Sequence, residues 1–177
     1  MNQGVPTKRY VELITERTVE RFLHRLFLRD TPLRCLSIIA PYISALADQR
    51  FSMMDLREKI EREQVPLYIV TRKPVMPYQH ESIEVILGSP WIELRYNESV
   101  HAKVYVAMAN RDAESFALFG SGNLTSKSIE SNIEIGMMVY SEGPGRDILR
   151  ELDYWASMRV RILKESQLVQ PIRGKRR

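Results

Sequence analysis

Two apolar runs, each too short for a buried helix, constrain this chain most. Residues 34–40 (Arg-Cys-Leu-Ser-Ile-Ile-Ala) are closed by Pro41, and residues 67–71 (Leu-Tyr-Ile-Val-Thr) lead into a proline-rich stretch. Continuous runs of this length, rich in branched side chains and bounded by proline, read as buried strands. Between them, residues 44–64 carry Met53, Leu56 and Ile60 at helical spacing, with Glu58, Lys59, Glu61, Arg62 and Glu63 outward. That pattern predicts an amphipathic helix. Upstream, Val11, Ile14, Val19, Phe22, Leu23, Leu26 and Phe27 recur at three- and four-residue steps. A helix over residues 7–28 is expected, ended by Thr31-Pro32.

The second half is denser in strand signals. Residues 73–80 contain two prolines and read as loop, and residues 82–87 as a short helix in preference to a strand. Strands are expected at 91–96 and 100–108, with a polar turn at 110–114 and a returning strand at 115–119. A helical turn at 125–131, a strand at 132–140, a helix at 144–158 and a last strand at 160–163 follow. Helices and strands interleave, so the class is α/β with a mixed β-sheet.

Composition narrows the function classes. The chain has 177 residues, 44% hydrophobic and 27% charged, and ordinary globular composition excludes a disordered or fibrous chain. One cysteine, Cys35, excludes an intrachain disulfide framework and a cysteine zinc cluster, and is read as a core residue. No apolar run approaches the ~18 residues that span a bilayer. No signal-peptide pattern opens the chain, so a cytoplasmic location is expected, with no membrane partner. Net charge is +4. The basic residues gather toward the end, in Arg159, Arg161, Lys164, Arg173, Lys175, Arg176 and Arg177. The organisation expected is one domain over residues 1–165 and a basic, flexible tail over 166–177, which suits either a polyanionic partner or a solubilising end.

Three segments carry chemistry. His101 and Lys103 are two apart on an expected strand, so imidazole and ammonium share one face, with Tyr105 next in line. Gly120-Ser121-Gly122-Asn123-Leu124-Thr125 breaks the pattern after a strand, presenting a hydroxyl, a carboxamide and free amides suited to phosphate oxygens. Taken alone it is also an ordinary glycine-rich turn. Asn132-Ile133-Glu134-Ile135-Gly136 places a carboxylate among apolar neighbours, where it could accept the imidazole N–H of His101 or face solvent. No carboxylate pair or His/Asp cluster with metal spacing is apparent.

In this order, H-x-K, G-S-x-N-L-T and N-x-E-x-G closely resemble the phospholipase D superfamily, over residues 100–140. The resemblance implies an α/β/α sandwich, phospholipase D-like, and no cofactor. The family uses two H-x-K half-sites, and this chain has one: Leu26 and Ser82 follow His24 and His80 where lysine would stand. A homodimer, with the active site across its twofold axis, is therefore implied. The fuller motif, H-x-K-x-x-x-x-D, has Met108 where the aspartate would be. The implied activity is metal-independent phosphodiester cleavage through a phosphohistidine. His101, Lys103, Ser121, Asn123 and Glu134 are the catalytic set, and Arg72, Tyr105, Gly122, Thr125 and Lys127 the substrate-binding residues. A short, basic, single-motif chain looks most like the nuclease branch, an endonuclease acting on DNA in preference to RNA. Arg72, Lys73, Arg95, Arg111 and Lys127 are placed to meet a phosphate backbone, and Tyr78, Trp91 and Tyr96 are candidates for stacking, with Trp91 also readable as core. Site-specific cleavage would call for a specificity partner subunit. The alternatives are a catalytically degenerate nucleic-acid-binding member and a phospholipid phosphodiesterase.

Overall fold

The computed structural model describes residues 10–28, 32–44, 46 and 51–174. Eight strands form one mixed sheet: β1 (Val11–Ile14), β2 (Leu33–Ile39), β3 (Leu67–Thr71), β4 (Ile92–Tyr96), β5 (Val104–Ala109), β6 (Phe116–Gly120), β7 (Gly136–Tyr140) and β8 (Gln167–Gln170). Their order across the sheet is β1-β7-β6-β5-β2-β3-β4-β8. The pairs β2/β3 and β3/β4 are parallel, and the others are antiparallel. Helices α1 (Thr18–Leu28), α2 (Met53–Glu63), α3 (Pro77–Leu87) and α4 (Ser126–Glu130) lie along the chain before α5 (Gly145–Tyr154).

Two apolar clusters flank the sheet, completing the α/β/α sandwich. The larger joins Phe22, Leu23 and Leu26 of α1, Leu56 and Ile60 of α2, and Ile83 and Ile86 of α3 to strand residues that include Tyr105 and Ala107. The smaller gathers Val104, Val106 and Met108 with Leu149, Ala156 and Val160. The alternation along β5 sorts its side chains between the two clusters, as a strand buried on both faces requires.

The departures from the sequence reading have local causes. Over residues 10–28 the expected helix is instead β1 followed by α1, and residues 7–9 of it lie outside the described residues. Val11-Glu12-Leu13-Ile14 pairs with β7, and Arg17 (φ 51°) takes a left-handed conformation that separates the two elements. Helix α2 starts at Met53, where Ser52 and Asp55 form a capping box. Ser44 and Leu46 are not helical, and residues 45 and 47–50 of that expected helix lie outside the described residues. The loop expected at 73–80 is cut short by α3, whose first residue is Pro77 and whose Gln79 Oε1 accepts from the Val75 and Met76 amides. The strand expected at 160–163 is the end of a helix: α5 continues through a wider turn (Trp155–Arg159) and a last turn (Val160–Ile162). The segment read as a flexible tail is docked through Gly174, and residues 175–177 lie outside the described residues. Strand β8 pairs with β4, and the Arg173 and Gly174 amides donate to the Pro90 carbonyl. A Cβ at Gly174 would lie 2.5 Å from the Trp91 ring, so this glycine is what allows the chain to cross the indole. Trp91 is buried in the core and Tyr96 packs against it, so of the three stacking candidates only Tyr78 is exposed.

Candidate active site

The three motif segments meet at one end of adjacent strands. The Lys103 carbonyl, just before β5, accepts from the Gly120 amide at the end of β6 (3.1 Å). Gly120 pairs in register with Gly136, the first residue of β7. The Ser121 amide donates to the Ile135 carbonyl (2.9 Å), and the Ile135 amide donates to Ser121 Oγ (3.0 Å).

His101 and Lys103 precede β5 rather than lying within it, which corrects the strand expected from residue 100. The residue before them is engaged outside the ladder: the Val100 amide donates to the Asn97 carbonyl, and Arg72 Nε donates to the Val100 carbonyl (3.0 Å). The His101 ring is exposed, and no described residue bonds either of its nitrogens. Lys103 Nζ donates to the His101 carbonyl (3.0 Å), so imidazole and ammonium arise from one short, tethered stretch.

Glu134 is buried although it precedes β7 instead of lying inside a strand. Ser121 Oγ, Ser128 Oγ (3.2 Å) and Asn132 Nδ2 (3.2 Å) donate to its carboxylate. Within the chain it takes neither placement that the sequence left open: it is buried away from solvent, and no hydrogen bond joins it to His101. Its charge is held by neutral donors, and no ion pair to it exists among the described residues.

The glycines of this loop are set by close approach. A Cβ at Gly120 would lie 2.3 Å from the Ile135 carbonyl oxygen, and one at Gly122 2.7 Å from Thr18 Oγ1 and 2.8 Å from Val19 Cγ2. The loop is therefore pressed against α1 and against the entry to β7. Asn123 is half-buried; its amide donates to Ser128 Oγ (3.0 Å), and its Oδ1 is buried with no partner among the described residues. Thr125 caps α4 by accepting from the Ser128 amide, and Lys127 is exposed.

Two expected substrate contacts are corrected. Tyr105 is fully buried on the α1 face and shares no surface with His101; its Oη donates to the Gly122 carbonyl (2.9 Å). Burial pushes its phenol well above the ordinary 10.0, and the nearby Glu134 charge pushes it the same way. Gly122 is buried beside Thr18 and Val19. Both shape the loop from behind. Arg72 does lie at the site's edge, bridging the Val100 carbonyl and Tyr42 Oη (3.3 Å). Arg95 is paired to Glu93 and Arg111 to Glu114, while Lys73 is exposed. Met108 lies at the far end of β5, roughly 20 Å along the strand from His101. It is packed in the smaller apolar cluster, so its replacement of the motif aspartate leaves the donors at this end untouched.

Sequence reading missed Tyr42 and Ser128. Ser128 stands three residues after Thr125, a spacing that marks a helix start and could have flagged it. Tyr42 directly follows Pro41 with no distinguishing pattern.

With this geometry in place, comparison with known proteins decides the family. The family model described as cardiolipin synthase, PLD-like domain, matches residues 34–158, most of the chain. The chain belongs to the phospholipase D-like family. Membership places this PLD-like chain among proteins of the phosphodiesterase kind. No curated protein sequence matches it. Among solved structures, it is similar to Nuc, a phospholipase D family member from Salmonella typhimurium. That match has a TM-score of 0.60 and 17% identity, covering 91% of this chain and 99% of that one. It is similar to NucT from Helicobacter pylori (TM-score 0.60, 15% identity, 90% and 98% covered). It also resembles TrmBL2, an archaeal chromatin protein that binds DNA (TM-score 0.54, 15% identity, 96% and 57% covered). At these identities the likeness is one of fold. No helix among the described residues is long and apolar enough to cross a membrane, and none of their His, Cys, Asp and Glu side chains form a metal-holding group of three.

Proposed function

We propose that the chain is a metal-independent endonuclease that cleaves DNA at an active site shared by two copies. The observation that carries this reading is the convergence of His101, Lys103, Ser121 and Glu134 at one open end of three adjacent strands. The site is half of what the chemistry needs, because one imidazole cannot both attack phosphorus and protonate the leaving oxygen. The rim supports completion by a second copy: Ile133 is 100% exposed and Ile135 54%, on either side of buried Glu134. Apolar side chains so placed are relieved by covering them.

In the first step a neutral His101 nitrogen forms a bond to phosphorus as the bond to the leaving oxygen breaks. The partner subunit's His101, protonated, gives its proton to that oxygen. In the second step the partner's now neutral imidazole takes a proton from water, the resulting hydroxide attacks phosphorus, and the P–N bond breaks. Lys103 and the Asn123 carboxamide from both copies stabilise the charge that builds on the non-bridging oxygens. Glu134 sets the imidazole orientation across the assembled site through the charge its three neutral donors leave uncancelled. The basic side chains of Arg72, Lys73 and Lys127 favour a polyanion. The fold likeness to Nuc, NucT and TrmBL2 agrees with nucleic acid, whereas the description of the matched family model points to phospholipid as the competing substrate.

Cleavage of a labelled single strand of DNA and nicking of a supercoiled plasmid, both in excess EDTA, test the reading. His101→Ala lowers the rate by about a thousandfold or more. Mixing excess His101→Ala chain into the parent lowers activity more steeply than dilution, because mixed pairs hold one imidazole. Nicking that survives His101→Ala, or a parent activity indifferent to the added variant, overturns it.

A further inference from the structure

A groove of about 670 Å³ opens beside the candidate site. It is bounded on one side by Asn123, Thr125 and Lys127 and on the other by Tyr42 and Tyr78. Both tyrosines are exposed, at 44% and 49%, and they come from different elements. Tyr42 follows β2 and is fixed in place: Thr71 Oγ1 and the Arg72 amide both donate to the carbonyl of Pro41 (3.2 Å each). Tyr78 is the second residue of α3, and its own carbonyl accepts from Ser82 Oγ (3.1 Å). Arg72 joins groove to site. Its guanidinium lies 5.7 Å from the Tyr42 ring centre and donates to Tyr42 Oη, while its Nε holds the Val100 carbonyl next to His101.

We propose that this groove receives an unpaired nucleobase, so that the substrate of the site is single-stranded nucleic acid. This deepens the endonuclease reading and rests on it. Three features favour a base over an acyl chain. Beside the exposed aliphatic groups of Val75 and Met76, the walls combine aromatic faces with carboxamide and hydroxyl groups (Asn123, Thr125, Ser44, Asn132), which match the donors and acceptors of a base edge and which an apolar chain would strip of water. The buried Asn123 Oδ1 lacks a donor among the described residues. The cations sit along the groove's margin, at Arg72 and Lys127, where the backbone linking successive bases must pass. A base inside a duplex cannot reach these rings without leaving its stack, so a paired strand is disfavoured.

Fluorescence anisotropy with the full-length His101→Ala chain separates binding from cleavage. The probes are a labelled oligothymidine strand, the same strand carrying abasic residues, and a duplex of equal length. The base-containing strand is expected to bind about tenfold more tightly than the abasic strand. Tyr78→Ala removes that ratio, and Tyr78→Trp, which keeps an aromatic face, preserves it. Equal or tighter duplex binding overturns the proposal, as does a base-to-abasic ratio unmoved by Tyr78→Ala. Tyr78-dependent binding of phosphatidylglycerol vesicles in place of oligothymidine also overturns it, in favour of a lipid. The parent chain's hydrolysis of bis(p-nitrophenyl) phosphate, which has no base, reports separately on the phosphodiesterase reading. If that hydrolysis persists while the tyrosine dependence fails, the groove proposal alone falls.

Discussion

Glu93 and Glu134 are buried to almost the same degree, 7% and 6% exposed, and the protein treats them in opposite ways. Glu93 lies on β4 between two guanidinium groups, Arg95 Nε at 2.6 Å and Arg161 at 2.7 Å (Nε) and 2.6 Å (Nη2). Arg161 in turn lies 3.8 Å over the Tyr68 ring. This cluster ties the end of the last helix to β4, next to the edge strand β8, and the carboxylate's charge is fully met on the spot. Glu134 has only hydroxyls and one amide. A buried carboxylate is costly unless it is compensated. Where compensation is complete, the group serves the fold. Where it is left open, at the sheet end that also carries exposed His101, the site proposed above is what would supply the missing cation.

The comparison predicts two different failures. Removing Glu93 leaves two half-buried guanidiniums facing each other, so Glu93→Ala is expected to lose about 3–5 kcal/mol in urea unfolding. Its effect on turnover of the folded fraction is small. Acid sharpens the point. Burial raises the Glu93 carboxyl, but hydrogen bonds and charge from Arg161 and Arg95 outweigh it and hold the group below its ordinary 4.5. A carboxyl lowered by folding contributes stability that is complete above its unfolded value and is lost as pH falls through the folded one. The gap between parent and Glu93→Ala should therefore be full at neutral pH and shrink below about pH 4.5. A gap that widens in acid breaks this account.

Glu134→Gln should do the reverse. Cleavage falls about a hundredfold, or ~2.7 kcal/mol in the barrier, while urea unfolding changes by less than about 1 kcal/mol. The amide keeps an acceptor for Ser128 and Asn132 and sheds an uncancelled charge. A variant that unfolds as readily as Glu93→Ala would place Glu134 with the structural carboxylates and remove the distinction.

The two regions also differ in how readily sequence revealed them. The strands that build the site's frame, β3 to β7, are announced by runs of branched and aromatic residues, and the helical face of α1 by its spacing. The motif residues His101, Lys103, Ser121 and Glu134 were legible as a set because three short patterns occur in fixed order. Their backbone was not. Residues 101–103 and 132–135 continue the β-prone composition of the strands they precede. What takes them out of the ladder is Arg72 at the Val100 carbonyl and Ser121 Oγ at the Ile135 amide, contacts 28 and 14 residues away. Periodicity carries no information about such side-chain intrusions. The Glu93 cluster was invisible for the same reason, since Arg161 is 68 residues from its partner. Strand β8 escaped because the polar, basic composition of residues 166–177 suits an exposed edge as well as a free tail.

Tyr105 offers the finest test of the contrast, because it touches the functional carboxylate's surroundings from inside the structural core. Its hydroxyl donates to the Gly122 carbonyl, and its ring stands 5.4 Å from Phe22. Tyr105→Phe keeps the packing and removes one buried hydrogen bond, at an expected cost of about 1 kcal/mol. Cleavage should fall only a few-fold, because the loop bearing Ser121 and Asn123 loosens while every reacting group remains. The alkaline limb distinguishes this from a simple packing defect. Burial and the Glu134 charge raise the phenol's pKa on folding, so the stability linked to it is complete below pH 10 and is lost as pH climbs through the folded value. The parent should therefore lose stability above about pH 10 more steeply than Tyr105→Phe, which has no proton to release there. Parallel alkaline curves for the two chains would mean that the phenol is not held between core and site as the structure places it.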